Sequence, residues 1–327
     1  MSPPPLVLAV PSKGRLQENA NGFFARAGLD VVQARGARDY RGALAQLPGV
    51  EVAFLSASEI VAQLASGAAH MGVTGLDLVH ENVPDVDGKL VLLAPLGFGH
   101  ADVVVAVPQA WIDVRTMADL EDVAHAFYVK RGQRMRVATK YVNLTRRWFA
   151  AHGIADYHIV ESLGATEGAP AAGAAELIVD ITTTGATLKA NGLKVLNDGV
   201  MLQSEANLVA SVGADWSVQH RDLARRILAR ISAEEAARTT RQVQVHGAVL
   251  PPEVLAEASE KFGAQSRGNN GERLSLLSVR TEMVAPLADW LVGRGADHVS
   301  VVKMDYVFGS HNELFDKLAG RVAPGQG

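Results

Sequence analysis

The chain has 327 residues and a formal net charge of −4, a balance that argues against a protein whose main task is to neutralise nucleic-acid phosphates. It contains no cysteine, which excludes disulfides, thiolate nucleophiles and cysteine-ligated metal sites. The sequence shows no apolar run of membrane-spanning length and no basic export segment at its start. We therefore expect no nucleic-acid partner, no membrane association and a cytoplasmic location.

Short apolar runs alternate with amphipathic stretches along most of the chain. Strands are predicted at Leu6–Val10, Val52–Leu55, Met71–Thr74, Lys89–Leu96, Asp102–Val107, Arg136–Ala138, Tyr157–Val160, Leu177–Ile181, Leu193–Leu196 and Val209–Val212. Helices are predicted at Leu16–Ala27, from Ser56 or Ser58 to Gly67, at Leu144–Ala151 and at Val218–Ile231. This order predicts an α/β fold with largely parallel sheets. Two lobes joined by crossings near residues 100–108 and 195–205 would enclose a cleft.

A third unit begins near Arg241. Its predicted elements are strands at Val243–Leu250, Arg273–Val279 and Val299–Met304, helices at Pro252–Lys261 and Met283–Gly293, and a turn-rich loop at Ser266–Gly271. If Gly263–Ser266 adds a short strand, the order is βαββαβ, that of a ferredoxin-like module. The predicted domains are residues 1–104 with 198–235 for the first lobe, 105–197 for the second, 239–310 for the module and 311–327 for the tail, which we expect to be frayed after Phe315.

The stretch with the most specific chemistry is ELIVDITTTGATL, Glu176–Leu188. An apolar run, an acid, three threonines and a glycine predict a buried strand that breaks into a turn and feeds a helix. Such a turn directs backbone N–H groups, hydroxyls and a helix dipole at one point, which suits a phosphate. The carboxylate of Asp180 suits a pair of sugar hydroxyls or Mg²⁺. Together these groups indicate a phosphorylated pentose, although an ordinary threonine-glycine turn explains the pattern equally well.

Other candidate ligand residues follow predicted strands. Lys13 and Arg15 follow the first strand, where open sheets present ligand loops, so they suit a polyphosphate or form a solvated basic loop. Gly75 and Asp77 follow another strand and suit a ligand hydroxyl or base, but Asp77 is equally a candidate helix N-cap. Tyr141 precedes a helix and either stacks on a planar base or is buried at the helix start.

Several motifs are informative because they are incomplete or missing. Gly97–His100 resembles a glycine-rich nucleotide loop, but it lacks the GxGxxG spacing and lies between two predicted strands, which favours a hinge. The sequence contains neither a GxxxxGK[ST] motif nor HExxH, so we expect neither a P-loop enzyme nor a zinc site. We assign no residue as a protein metal ligand.

Five motifs together resemble those of one enzyme family. They are PSKGRL (Pro11–Leu16), SGAAHMGVTGLDLV (Ser66–Val79), RVATKYVNLTRRWF (Arg136–Phe149), GATEGAP (Gly164–Pro170) and ELIVDITTTGATLKANGL (Glu176–Leu193). Their order is similar to that in ATP phosphoribosyltransferases, the first enzymes of histidine biosynthesis. The resemblance implies a two-lobed core similar to periplasmic binding proteins. It also implies transfer of phosphoribose from phosphoribosyl pyrophosphate (PRPP) to N1 of ATP, with Mg²⁺ and with release of pyrophosphate.

The resemblance also implies roles for individual residues. The 5-phosphate of PRPP would be bound by Thr183, Thr184, Gly185, Ala186, Thr187 and Leu188, and the ribose hydroxyls by Asp180. Lys13 and Arg15 would face pyrophosphate or the ATP phosphates and, with Asp180, form the catalytic set. Gly75, Asp77, Tyr141 and Glu167 would lie near the ribose and adenine. Because N1 of adenine already carries a lone pair, no general base is assigned.

The family resemblance implies partners as well. Long-form members carry a ferredoxin-like module that binds histidine, whereas short-form members need a synthetase-like partner protein. The length of this chain and its third unit imply a long-form or atypical long-form member that forms a homo-oligomer, a hexamer or dimer, with histidine as an effector; a synthetase-like partner is the other interpretation. A non-catalytic small-molecule-binding or regulatory subunit of the same fold is the alternative function. The retained Lys13, Arg15, Asp180 and Thr183–Thr187 favour the enzyme.

Overall fold

The computed structural model describes residues 4–33, 40–247, 249–269 and 274–322. The strands are β1 (Leu6–Pro11), β2 (Val31–Gln33), β3 (Arg41–Leu44), β4 (Val50–Leu55), β5 (Met71–Gly75), β6 (Leu90–Pro95), β7 (Ala101–Pro108), β8 (Met135–Thr139), β9 (Tyr157–Glu161), β10 (Leu177–Thr182), β11 (Leu193–Ser204), β12 (Ala206–Ser211), β13 (Thr240–His246), β14 (Gln265–Asn269), β15 (Leu274–Arg280) and β16 (His298–Val302). The helices are α1 (Gly14–Arg26), α2 (Ala57–Ser66), α3 (Leu76–Asn82), α4 (Val86–Lys89), α5 (Met117–Arg131), α6 (Val142–Ala151), α7 (Ala186–Ala190), α8 (Val218–Thr239), α9 (Pro252–Phe262), α10 (Val284–Gly293) and α11 (Glu313–Ala319).

Lobe I is built on a sheet of order β2-β3-β4-β1-β5-β12-β6, in which β1 is parallel to β4 and β5. Helices α1, α8 and α11 bury apolar residues such as Phe24, Ile227 and Leu318 on one face of this sheet, and α2 and α3 cover the other. Helix α2 starts where the sequence predicted, because Ser56 and Glu59 form a reciprocal capping box. Parallel strands place the loops that follow β1 and β5 at one edge of the sheet.

Lobe II is built on a second sheet of order β11-β7-β10-β8-β9. Strands β7 and β11 lie entirely in this sheet, so the chain crosses between lobes at residues 96–100 and at Glu205. The predicted domain boundary at 104/105 would cut through β7, and the one at 197/198 would cut through β11. The two crossings are hydrogen-bonded to each other, since Leu96 N–H donates to the Ala206 carbonyl at 2.9 Å and Ala206 N–H donates to the Phe98 carbonyl at 2.9 Å.

The third unit is an antiparallel sheet of order β14-β15-β13-β16 with α9 and α10 packed against it. This is the βαββαβ arrangement of a ferredoxin-like fold, so the predicted fold class of a two-lobed α/β core with such a module is confirmed. The prediction of a turn-rich loop was wrong for the part from Ser266 to Asn269, because this segment belongs to strand β14. A register shift between Ser266 and Gly268, where Gly268 has φ of 103°, accommodates the glycine as a bulge. The rest of the predicted loop, residues 270 and 271, lies outside the described residues.

The prediction of a frayed tail was wrong for the part that the structure describes. Asn312 caps α11 by accepting a hydrogen bond from Phe315 N–H at 3.1 Å, and Leu318 and Val322 are buried in the lobe I core. Residues 323–327 lie outside the described residues. The chain therefore leaves lobe I at the end of α8, forms the module, and returns to lobe I in α11.

Strands β2 and β3 and helix α5 are among the elements that were not predicted. Strands β2 and β3 are short and largely exposed, so their sequences carry little apolar periodicity. Helix α5 buries Met117, Leu120 and Ala124 on one face, but exposed Tyr128 and Val129 weaken its apolar pattern. Its start is set by a capping box between Thr116 and Asp119. None of the described helices is long and apolar enough to span a bilayer.

His70, buried at the start of β5 in lobe I, makes the stability of this lobe depend on pH. Its Nδ1 accepts the Val7 N–H at 3.1 Å, and its Nε2 lies 3.0 Å from the Asp215 carbonyl and 3.2 Å from Nδ1 of His220. Burial lowers the pKa of His70 from 6.5 and outweighs the hydrogen bond to the Asp215 carbonyl, which raises it; the charge of His220 lowers it further. The unfolded chain therefore binds this proton more readily, so the stabilisation is complete above pH 6.5 and is lost as the pH falls.

We expect the thermal unfolding midpoint of the protein to fall more between about pH 7.5 and about pH 5.5 than that of His70→Asn, whose side-chain oxygen still accepts the Val7 N–H. Differential scanning calorimetry at the two pH values measures this difference. Equal losses in both proteins would show that His70 does not control the acid sensitivity.

Candidate active site

The predicted strand, turn and helix are all present in the stretch that ends at Leu188. Strand β10 ends at Thr182, and Gly185, with φ of 70°, adopts the left-handed conformation that glycine favours just before α7. The hydroxyl of Thr182 accepts the Gly185 N–H at 2.9 Å, and that of Thr184 accepts the Ala186 N–H at 3.3 Å. These local bonds hold the turn in one conformation.

The same turn leaves donors free for a ligand. In the described part of the chain, no protein acceptor bonds the backbone N–H groups of Thr184, Thr187 or Leu188. The turn borders a cleft of about 360 Å³ that is lined by Thr182, Thr183, Thr184, Thr187, Asp180 and Glu167, among others. The structure thus brings Asp180, Glu167 and four of the six predicted phosphate-binding residues to one cavity; Gly185 and Ala186 lie in the same turn but do not line it.

Asp180 is the half-buried carboxylate of this cleft. Its Oδ1 accepts the N–H of Ile181 at 2.8 Å. Burial raises the pKa of Asp180 and the charge of Glu167 raises it further, while the Ile181 N–H and the charge of Lys140 act in the opposite direction. A cation or a set of hydroxyl donors in the cleft would therefore stabilise the ionised form of Asp180.

Lys140 is a cation near Asp180 that sequence reasoning missed. Its Nζ lies 4.9 Å from the centroid of the Tyr141 ring, and its charge acts on the pKa of Asp180. Lys140 follows β8 in lobe II much as Lys13 follows β1 in lobe I. That position directly after a parallel strand was the signal that could have identified it.

Tyr141 and Asp77 are bonded to each other across the lobes. The Tyr141 ring is fully buried, and its hydroxyl donates to Asp77 Oδ2 at 2.7 Å. The hydroxyl of Ser204 donates to Asp77 Oδ1 at 2.9 Å, and Ser204 Oγ accepts the Asp77 N–H at 3.0 Å. Burial, and then the charge of Asp77, raise the pKa of Tyr141, so its hydroxyl stays protonated. In this conformation the ring is not open to the cleft, and Asp77 is not a helix N-cap, since Gly75 holds that position.

The cationic residues predicted in lobe I lie together on an exposed loop. Lys13 is the N-cap residue of α1 and Arg15 lies in its first turn, and both are exposed. Within the described residues neither side chain has a hydrogen bond or ion pair, so both remain available to an anion. Gly75 ends β5 at the same edge of the sheet, and a Cβ atom there would collide with the Asp77 carboxylate.

The chain thus has two α/β lobes, and lobe II carries a polar cavity lined by threonine hydroxyls and one half-buried acid. A family model described as ATP phosphoribosyltransferase matches residues 56–233. The chain belongs to the ATP phosphoribosyltransferase family, which confirms the resemblance seen in the sequence.

Curated relatives and a solved structure support this membership. The ATP phosphoribosyltransferase of Bradyrhizobium diazoefficiens is 60% identical over 316 residues, which cover 96% of this chain and 97% of the relative. The ATP phosphoribosyltransferase of Nitrobacter winogradskyi is 58% identical over 315 residues, with coverage of 96% and 97%. The ATP phosphoribosyl transferase (HisG:HisZ) complex from Thermotoga maritima has a TM-score of 0.54 and 25% identity, and covers 69% of this chain and 95% of that chain. The sequence relatives thus share the C-terminal module as well as the core.

Proposed function

We propose that this protein transfers the phosphoribosyl group of PRPP to N1 of ATP and releases pyrophosphate, the first step of histidine biosynthesis. The observation that carries the proposal is the threonine turn of β10 and α7, which offers free backbone N–H groups beside the half-buried carboxylate of Asp180. Family membership supports the same reaction. A non-catalytic binding or regulatory role is not favoured, because the relatives over nearly the whole chain are named as transferases.

PRPP fits the lobe II side of the cleft. Its 5-phosphate would accept hydrogen bonds from the free N–H groups of Thr184, Thr187 and Leu188 and from the threonine hydroxyls. The ribose hydroxyls would donate to Asp180, whose ionised form they stabilise. Hydrogen bonds to a charged group stabilise by about 1.5–3 kcal/mol each, so this arrangement fixes the anomeric carbon relative to the cleft.

ATP fits the side formed by lobe I. Lys13 and Arg15 carry the unpaired charges that a triphosphate or the departing pyrophosphate requires, and Lys140 adds a third cation from lobe II. As the bond to pyrophosphate breaks, positive charge develops on the ribose and negative charge on the leaving group. The residues therefore act by aligning N1 opposite the leaving group and by neutralising that charge. No residue has to remove a proton from N1.

We propose Mg²⁺ as the metal of this reaction. The described residues contain no group of three or more carboxylate or imidazole ligands that could hold a metal ion. Asp180 and Glu167 border the cleft and offer oxygen ligands, a donor set that fits Mg²⁺ bound mainly through substrate phosphates and water. When bound, the ion would supply positive charge next to the pyrophosphate.

The test is to incubate the purified protein with ATP, PRPP and Mg²⁺ and to follow the ultraviolet absorbance of N1-substituted adenine. We expect product to form only when both substrates are present. Omission of PRPP controls for ATP hydrolysis. A folded protein that gives no product alone, but gives it after addition of a synthetase-like protein, would show dependence on a partner; no product under either condition would contradict the proposal.

We further propose that the protein acts in the cytoplasm as a homo-oligomer and that the C-terminal module mediates inhibition by histidine. One similar solved structure is the HisG:HisZ complex from Thermotoga maritima, so a synthetase-like partner is the competing arrangement. The ferredoxin-like order of the module supports its proposed role in this inhibition. The start of β13 and the segment after β16 also line a cavity together with α1 and α8 of lobe I.

Removal of the module tests this regulation. Cutting the chain after α8 would also remove α11 from the lobe I core, so an internal excision is required. Gln242 and Val302 are register partners in adjacent strands, so a short glycine-containing turn can join them. We expect the excised protein to keep its transferase activity and to lose inhibition by L-histidine. Retained inhibition would place the effector site in the core.

A further inference from the structure

Helix α6 of lobe II is capped by a side chain from lobe I. Its own N-cap residue, Tyr141, provides no side-chain cap. Instead, Glu81 at the end of α3 accepts the Asn143 N–H at its Oε1 and the Leu144 N–H at its Oε2, both at 2.9 Å. The side-chain amide of Asn143 also donates to the backbone carbonyl of Glu81 at 3.0 Å. A carboxylate that satisfies two free N–H groups at a helix N-terminus is a strong cap.

Other bonds join the same two helices. The Tyr141–Asp77 bond lies beside the cap, and the Arg147 guanidinium donates to the His80 carbonyl. Asp77, Glu81 and Tyr141 are all buried. We name this contact the interlobe clasp, formed by Asp77 and Glu81 of α3 with Tyr141, Asn143 and Leu144 of lobe II.

The clasp gives the lobes a third connection besides the two chain crossings. A hinge at residues 96–100 and Glu205 alone would let the lobes separate. A small separation, too narrow to admit water, would leave the buried Glu81 carboxylate without its two N–H partners, which is unfavourable for a buried charged group. A larger separation would also break the Tyr141–Asp77 bond. The structure therefore favours a fixed spacing of the lobes.

The clasp also lies next to the proposed catalytic groups. The segment that enters α6 carries Lys140, and strand β8 before it pairs with β10, with Thr139 opposite Val179, the neighbour of Asp180. On the other side, α3 follows β5, which is adjacent to β1 and its cationic loop. A change in the clasp would thus move the threonine turn relative to Lys13 and Arg15.

We propose that Glu81 is a positioning residue, which holds the PRPP side and the ATP side of the cleft at a fixed separation without touching either substrate. Its effect on rate rests on the proposed function, whereas its effect on lobe spacing does not. A misplacement of about 1 Å can lower the rate of a two-substrate reaction by about 100-fold, so we expect loss of the cap to lower the rate strongly even in a folded protein.

The test uses the lack of native cysteine. Ala62 on α2 and Ala126 on α5 are exposed positions in different lobes, so A62C and A126C together accept a pair of spin labels for distance measurement in the full chain. In this background we expect Glu81→Ala to lengthen or broaden the interlobe distance distribution and to lower kcat/KM for PRPP by about tenfold to 100-fold. Glu81→Gln retains one acceptor oxygen and should show intermediate values.

Glu260→Ala removes an exposed carboxylate from the module and serves as the matched control, with unchanged distances and kinetics. An interlobe distance distribution that is unchanged in both Glu81 variants overturns the proposal, whatever their activity. If Glu81→Ala fails to fold, the Glu81→Gln variant decides by the same measurement. Because the distances are measured without substrate, they remain decisive even if the proposed reaction is not observed.

Discussion

Asp180→Ala is expected to lower kcat/KM for PRPP by about tenfold to a thousandfold. Asp180 is the half-buried carboxylate beside the threonine turn, and ribose hydroxyls would be its hydrogen-bond donors. Without it the sugar loses its orientation and the charge developing on the ribose loses a nearby anion. Steady-state kinetics with PRPP varied at saturating ATP measure the effect.

Two companion variants separate the functions of this site. Asp180→Asn keeps the shape and removes the charge, so it should remain strongly impaired, whereas Thr184→Val removes one phosphate donor and should mainly raise KM for PRPP. Because burial raises the pKa of Asp180 above 3.8, the acid limb of the wild-type kcat/KM profile should lie at higher pH than for an ordinary aspartate. Asp113→Ala, at an exposed position of lobe II, is the control. Wild-type kinetics in both Asp180 variants would mean that the turn is only structural.

Leu318→Ala is expected to lower the free energy of unfolding by about 2–5 kcal/mol. Leu318 is fully buried between α11 and the α8 side of the lobe I core, so its truncation removes apolar contact and leaves a cavity. Urea unfolding followed by circular dichroism measures the change.

Leu163→Ala provides the comparison for this prediction. Leu163 is 91% exposed, so its replacement should change the free energy by no more than about 0.5 kcal/mol. If Leu318→Ala were equally neutral, helix α11 would not be part of the lobe I core in solution.

The sequence was sufficient to predict a strand or helix where apolar runs and turn residues mark its position. The runs at Leu6–Val10 and Leu177–Ile181 became the central strands β1 and β10, and the threonine turn lies where it was predicted. Ser56, a candidate N-cap, starts α2 through its capping box with Glu59. The roles assigned to the substrate-binding residues stay predictions, which the kinetic variants test.

Elements defined by tertiary contacts could not be predicted. Strand β14 has a turn-like sequence, but its pairing with β15 outweighs that local preference. Glu81 is one acid on a short helix, and its partners lie 62 and 63 residues later in the chain. The burial of Tyr141 was one of the two predicted alternatives, but the bond from its hydroxyl to Asp77 joins it to the other lobe. No local pattern encodes such contacts between lobes.

The C-terminal module is attached to lobe I by both of its chain ends. The exit segment is held on α8, where Val307 N–H donates to the Ala233 carbonyl at 2.9 Å, and on α1, where the Tyr306 hydroxyl donates to the Arg26 carbonyl at 3.0 Å. A domain on a single linker can swivel without disturbing its neighbour. Here a rotation of the module would displace both chain ends at once. Because the exit segment is bonded to α1, the helix that begins at the cationic loop, such a rotation would also exert a force on that helix.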